Sequence, residues 1–113
     1  MPADPYRYFR IESRELLNQL GQGVLELEKG GSAAEVIPRL LRLAHTLKGA
    51  ARVVRQPQIA EDAHALEDLF AALREAAAPP TGEQVNRMLA LLDRMATSVA
   101  ALDRPDAAQE GAA

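Results

Sequence analysis

Residues 43–54, LAHTLKGAARVV, decide how this chain is read. Leu43, Leu47, Ala51 and Val54 recur at spacings of three and four, which marks one buried face of an α-helix. With His45 at the zero of a helical wheel, those residues and Leu40 cluster around the opposite pole. Leu41, Arg42, Lys48, Gly49 and Arg52 lie within about 60° of His45. A glycine in mid-helix costs about 1 kcal/mol relative to alanine. Here it bares a spot one turn beyond an outward imidazole, and the stretch reads as an exposed patch with one titratable ring and three cations.

The rest of the chain is helical in the same idiom. Asp4 followed by Pro5 has the form of an N-cap and a first-turn proline. Phe9, Leu16, Leu17, Leu20, Val24 and Leu27 then form a stripe in which Ser13 fills one place, predicting a helix over about 5–29. Gly21 and Gly23 weaken its middle. Ser32 and Glu35 have capping-box spacing, but Pro38 removes a backbone donor, so the firm part of the second helix is expected to start near Pro38 and run to Arg55. Pro57 opens a third helix with Ile59, Ala63, Leu66, Leu69, Phe70 and Leu73 as its apolar face. Thr81 and Gln84 form another capping box. The stripe after it is Val85, Met88, Leu89, Leu92, Met95, Ala96, Val99 and Leu102, and Pro105 ends it.

Four apolar stripes, short connections and no strand signal predict an all-α, up-down four-helix bundle. Residues 1–104 form the domain, and 105–113, small and polar, read as the start of a flexible linker.

Composition narrows the function. The chain has 113 residues, 48% hydrophobic, with two Phe, two Tyr and no Trp, a vocabulary of helices. Its net charge of −3 argues against general nucleic-acid binding, which needs a basic surface. With no cysteine, thiol chemistry and thiolate metal sites are excluded. No run of about 18 apolar residues predicts membrane insertion. The expected setting is the cytoplasm.

The third helix gives His45 a partner. With Leu66 at the centre of the buried face, His64 and Glu67 share one flank, three residues apart. Ala60, Ala63 and Ala71 would let the second helix come close. Glu67 could then accept the N–H of one ring nitrogen of His45 and fix the tautomer, leaving the other nitrogen a free lone pair. The bland alternative for Glu67 is a surface carboxylate paired with Arg74.

AHTLKGAARVV (44–54) followed by AEDAHALEDLFAALRE (60–75) resembles the histidine phosphotransfer domains of chemotaxis-type sensor histidine kinases. The likeness rests on His45-Thr46-Leu47-Lys48-Gly49 and on a second motif, His64 and Glu67 three apart. It covers roughly residues 5–103. It implies a four- or five-helix domain at the N-terminus of a large kinase, any fifth helix lying beyond this chain. By position, His45 would accept the γ-phosphoryl group of ATP and Glu67 would orient it. Lys48 would supply charge, His64 would complete a hydrogen-bonded cluster, and Gly49 would leave room for the partner. ATP and Mg²⁺ would be bound by a separate kinase domain, no cofactor being expected in this one, so the chain is not expected to be catalytically complete. The second partner would be the aspartate of a response-regulator receiver domain, steered by Arg42, Arg52 and Arg55. Family members often carry glycine at the turn where this chain has Arg55. Rival readings are a helical interaction module without chemistry and a zinc site built from His45, His64 and Glu67.

Overall fold

The computed structural model describes residues 4–102. Four helices account for nearly all of them: α1 Arg7–Glu28, α2 Ala33–Val53, α3 Pro57–Ala76 and α4 Gly82–Ala101. Each packs on the next and α4 closes on α1, the most extensive contact being α2 against α3. The result is the four-helix bundle predicted by the stripes, with no strand among the described residues. The expected stop at Pro105 and the linker over 105–113 lie outside the described residues.

The core follows the stripes. Leu20, Val24, Leu40, Leu47, Ile59, Leu66, Phe70, Met88, Met95 and Val99 are almost completely buried. Ser13 belongs to the same face and is buried because its hydroxyl donates to the Phe9 carbonyl at 2.6 Å. That bond satisfies its one donor within its own helix. Gly23 is more than a weak spot. A Cβ there would collide with the Leu40 side chain, so the glycine sets how closely α1 approaches α2.

The helix starts differ from the sequence reading in two places. Pro5 and Tyr6 form a turn, and α1 begins at Arg7. Asp4 is not the cap expected of it: Tyr6 is the N-cap and has no side-chain capping bond, and Asp4 holds the turn before it, its carboxylate accepting the Tyr6 N–H at 3.0 Å and its carbonyl the Arg7 N–H at 3.3 Å. In α2 the helix starts at Ala33 and runs through Pro38. Pro38 and Ala34 are both exposed, so the carbonyl deprived of its usual donor is on the water side, where the loss is small. The Ser32 hydroxyl makes no capping bond, and the start is held by backbone bonds from Glu35 and Val36 to the Ser32 carbonyl. Both arms of the Thr81–Gln84 capping box are formed.

The α3–α4 seam holds a clamp for which the sequence provided no signal. Asp62 is 3% exposed, and accepts from Arg94 at 2.9 and 3.3 Å and from Gln58 at 3.0 Å. A carboxylate can be buried there because charged and neutral donors together replace its water.

The α2–α3 turn fixes the two helices that carry the candidate residues. Gln56 N–H reaches back to the Ala51 carbonyl at 2.8 Å and Arg55 N–H to that of Arg52 at 3.1 Å, a Schellman motif. It requires a left-handed residue at position 55, and Arg55 adopts φ 58°. At the same place in α1 the chain uses Gly30, φ 88°. A left-handed conformation costs a side-chain-bearing residue about 1–2 kcal/mol, partly offset against glycine by glycine's larger unfolded-state entropy. Arg55→Gly should therefore stabilise the fold by roughly 0.5–1 kcal/mol and raise the melting temperature by a few degrees. An unchanged or lower melting temperature would show that the arginine side chain stabilises this turn by as much as its backbone strains it.

Candidate functional site

His45, Lys48 and Glu67 meet where α2 packs on α3. Glu67 Oε2 lies 3.3 Å from His45 Nδ1, and Glu67 Oε1 lies 2.8 Å from Lys48 Nζ. One carboxylate thus faces both partners, one oxygen to each. The His45 side chain is 70% exposed, Glu67 22% and Lys48 only 12%. The ring stands in solvent while the groups that hold it are mostly covered.

Lys48 departs from the exposed patch of the sequence reading. The fully buried residues of α2 are Val36, Ile37, Leu40, Ala44, Leu47 and Ala51. Leu43 and Val54 are only half-buried. The buried face is therefore turned roughly 30° toward Lys48 from the centre implied by the leucine spacing. The lysine stem lies along the helix interface, and its ammonium comes out at Glu67. Oε1 is sealed from solvent, and the ammonium approaches it close enough for a full ion pair but off the direction of a good hydrogen bond.

The electrostatics of Glu67 follow from this placement. Burial pushes its carboxyl up, but Lys48 and His45, at hydrogen-bonding distance and with their charges, outweigh burial. The net pKa falls below its ordinary 4.5. A carboxylate only accepts, so the ring nitrogen facing it must donate. In that tautomer a neutral ring has its proton on Nδ1 and its Nε2 lone pair free.

His64 does not join this cluster. Its Nε2 lies 3.5 Å from Asp68 Oδ1, one turn further along α3, and both side chains are exposed. It makes no hydrogen bond to Glu67 or His45, because it lies on the outer side of the flank it shares with Glu67, where it faces Asp68. Gly49 is exposed, and a Cβ there would meet nothing within 4 Å, so packing does not require a glycine. Arg42 and Arg52 are exposed on α2, and Arg55 on the turn after it. Among the described residues no three metal-ligating side chains come together, which removes the geometry of the zinc alternative.

A groove of about 540 Å³ opens beside His45 between α2 and α3. Leu41, Arg42 and Thr46 line it from α2, and Asp68, Ala71 and Arg74 from α3. Arg74 was not a sequence-derived candidate, yet its signal was present. It follows Glu67 by seven residues, within about 20° of it on a wheel. Its nearest carboxylate is not Glu67 but Glu75, at 3.7 Å.

Residues 6–100 match the Hpt domain family. Among proteins of known name, the chain is 31% identical over 85 residues to "Chemotaxis protein CheA" of Treponema pallidum, covering 75% of this chain and 10% of that protein. It is 30% identical over 91 residues to "Chemotaxis protein CheA" of Bacillus subtilis, covering 80% and 14%. It is 29% identical over 89 residues to "Sensor histidine kinase CheAY" of Helicobacter pylori, covering 79% and 11%. The chain therefore spans about a tenth of the length of the curated relatives it matches. No solved structure matches it significantly. No helix among the described residues is long and apolar enough to cross a membrane.

A carboxyl whose folded pKa is lowered contributes stability that is fully present above 4.5 and is lost as the pH falls through the folded value. Between pH 6 and pH 3 the urea midpoint of the wild-type chain should fall further than that of Glu67→Gln, which has no such proton to gain. Parallel acid limbs for the two proteins would contradict the Lys48–Glu67–His45 arrangement.

Proposed function

This chain belongs to the Hpt domain family, and from that premise we propose that His45 is its phosphoryl carrier. In this reading His45 takes the γ-phosphoryl group of ATP from a kinase catalytic domain and passes it to an aspartate of a response-regulator receiver domain. ATP and Mg²⁺ belong to the catalytic domain. The names of the relatives, chemotaxis proteins and a sensor histidine kinase, support placing the segment in a chemotaxis-type pathway, to which we assign a cytoplasmic setting.

The observation that carries the reading is Glu67 facing Nδ1 of a ring that stands 70% exposed. The Nε2 lone pair forms the new P–N bond as the bond from phosphorus to the ADP oxygen breaks. The ring keeps its Nδ1 proton and becomes cationic, and Glu67 is placed to stabilise that charge. Passing the group to an aspartate reverses the sequence, with the P–N electrons returning to Nε2 and a P–O bond forming. Phosphoryl transfer asks mainly for positioning and charge compensation, and this site offers both. An exposed ring on a rigid helix also allows two partners to reach it in turn.

Lys48 takes a different part from the one its motif implies. Its ammonium is on Glu67, so it acts by holding the carboxylate. Gly49 keeps the surface beyond the ring low for the partner.

Labelling with ATP and a chemotaxis-type kinase catalytic domain tests the proposal. The wild-type chain should take up acid-labile phosphate only when that domain is present. His45→Gln should take up none and melt at nearly the wild-type temperature, because the ring lies outside the core. Glu67→Ala should slow labelling by roughly 10²-fold without abolishing it, the usual scale for losing a group that manages a reacting proton or charge. Label retained in His45→Gln would overturn the assignment.

A further inference from the structure

We propose that the phosphoryl group on His45 is neutralised by Arg42 and Arg74, across the groove between α2 and α3, rather than by Lys48, Arg52 or Arg55. The proposal rests on His45 being the acceptor and identifies the cations that the acceptor needs.

Lys48 is already engaged. Its ammonium lies 2.8 Å from a carboxylate oxygen that is shut off from solvent, and the side chain is 12% exposed. To reach a phosphoryl group on Nε2 it would have to abandon Oε1, a carboxylate oxygen shut off from solvent that faces no other cation, which is costly.

Direction selects among the arginines. Helical side chains lean toward the N-terminus of their own helix. The ring of His45 therefore covers the turn that holds Leu41 and Arg42, not the turn that holds Gly49. The groove lined by His45 opens on that same side. α3 follows α2 through a tight turn and runs back along it, so its side chains lean the other way. Arg74 leans back toward Glu67, over a floor kept open by the short side chain of Ala71. Arg42 and Arg74 thus line the same groove as His45, one from each helix. Arg52 lies seven residues beyond His45, about 10 Å along the helix in the opposite direction, and Arg55 lies past it in the turn after α2.

Both groove arginines are available. The Arg42 side chain has no ion-pair partner among the described residues, and Arg74 has only the loose 3.7 Å contact with exposed Glu75. The other charges facing the groove are Asp68, beside His64, and Glu67, committed to Lys48 and His45. A guanidinium fork matches phosphoryl oxygens in pairs, which an ammonium does not.

The test is the ³¹P titration of the phosphohistidine, formed on the purified chain with phosphoramidate as the small donor. Arg42→Ala and Arg74→Ala should each raise the apparent pKa of the phosphoryl group by roughly half a unit, the size expected for removing one cation at about 6 Å near water. Arg42→Lys should recover only part of that shift, since it restores the charge but not the fork, and Arg52→Ala should leave the curve in place. Melting temperatures of these variants should match the wild type, separating the effect from folding. A double Arg42→Ala, Arg74→Ala variant whose titration superimposes on the wild type would overturn the proposal, as would an equal shift in Arg52→Ala. A chain that takes no phosphorus on His45 would overturn the parent reading as well. One that is phosphorylated there, with a titration indifferent to both arginines, overturns only this inference.

Discussion

The site depends on one carboxylate held between two helices. Glu67 stands on α3 but both of its partners, Lys48 and His45, stand on α2. The contact therefore exists only if the two helices keep their spacing and register. Buried alanines on both sides, Ala44 and Ala51 on α2 and Ala60 and Ala63 on α3, permit close approach. The Schellman turn through Arg55 sets the register. A shift of one turn would move Glu67 by about 5.4 Å and break both contacts at once. The bundle thus works as a mount for a single ring.

That arrangement resolves a conflict built into the chemistry. On the proposed function the ring has to be exposed for two proteins to reach it, yet exposed side chains are mobile and poorly directed. Here the mobile part is small. The imidazole is in water, but the carboxylate that directs it is mostly covered, and the lysine that directs the carboxylate is covered further still. Order runs outward from the core through Lys48 and Glu67 to His45. The cost of burying the ion pair is met by its own short contact and by the lysine stem, which replaces apolar surface at the helix interface.

Much of this was legible in the sequence, because helical periodicity is a direct projection of the fold. The four stripes located all four helices, and the capping box at Thr81 located the start of α4 to the residue. The pairing of His45 with Glu67 could be read from two motifs on adjacent helices. Three things could not. The wheel of α2, centred on its leucines, put Lys48 outside, because Ala44 and Ala51 count little in hydrophobic spacing and much in packing. The direction of His64 depended on which of two neighbouring carboxylates it faced, and sequence spacing allows both. Asp62 left no mark in the sequence, since its partner Arg94 lies thirty-two residues away and is joined to it only by the packing of α3 on α4.

On the proposed function, Glu67 holds the proton of His45 on Nδ1 and so makes Nε2 the atom that carries phosphorus. The most direct measurement is the position of the P–N bond, read from ¹⁵N–³¹P coupling in phosphorylated chain with ¹⁵N-labelled histidine. Phosphorus should couple to Nε2 of His45, with the proton retained on Nδ1. Coupling to Nδ1 would contradict it, because the nitrogen assigned here to Glu67 would then be the one that reacts.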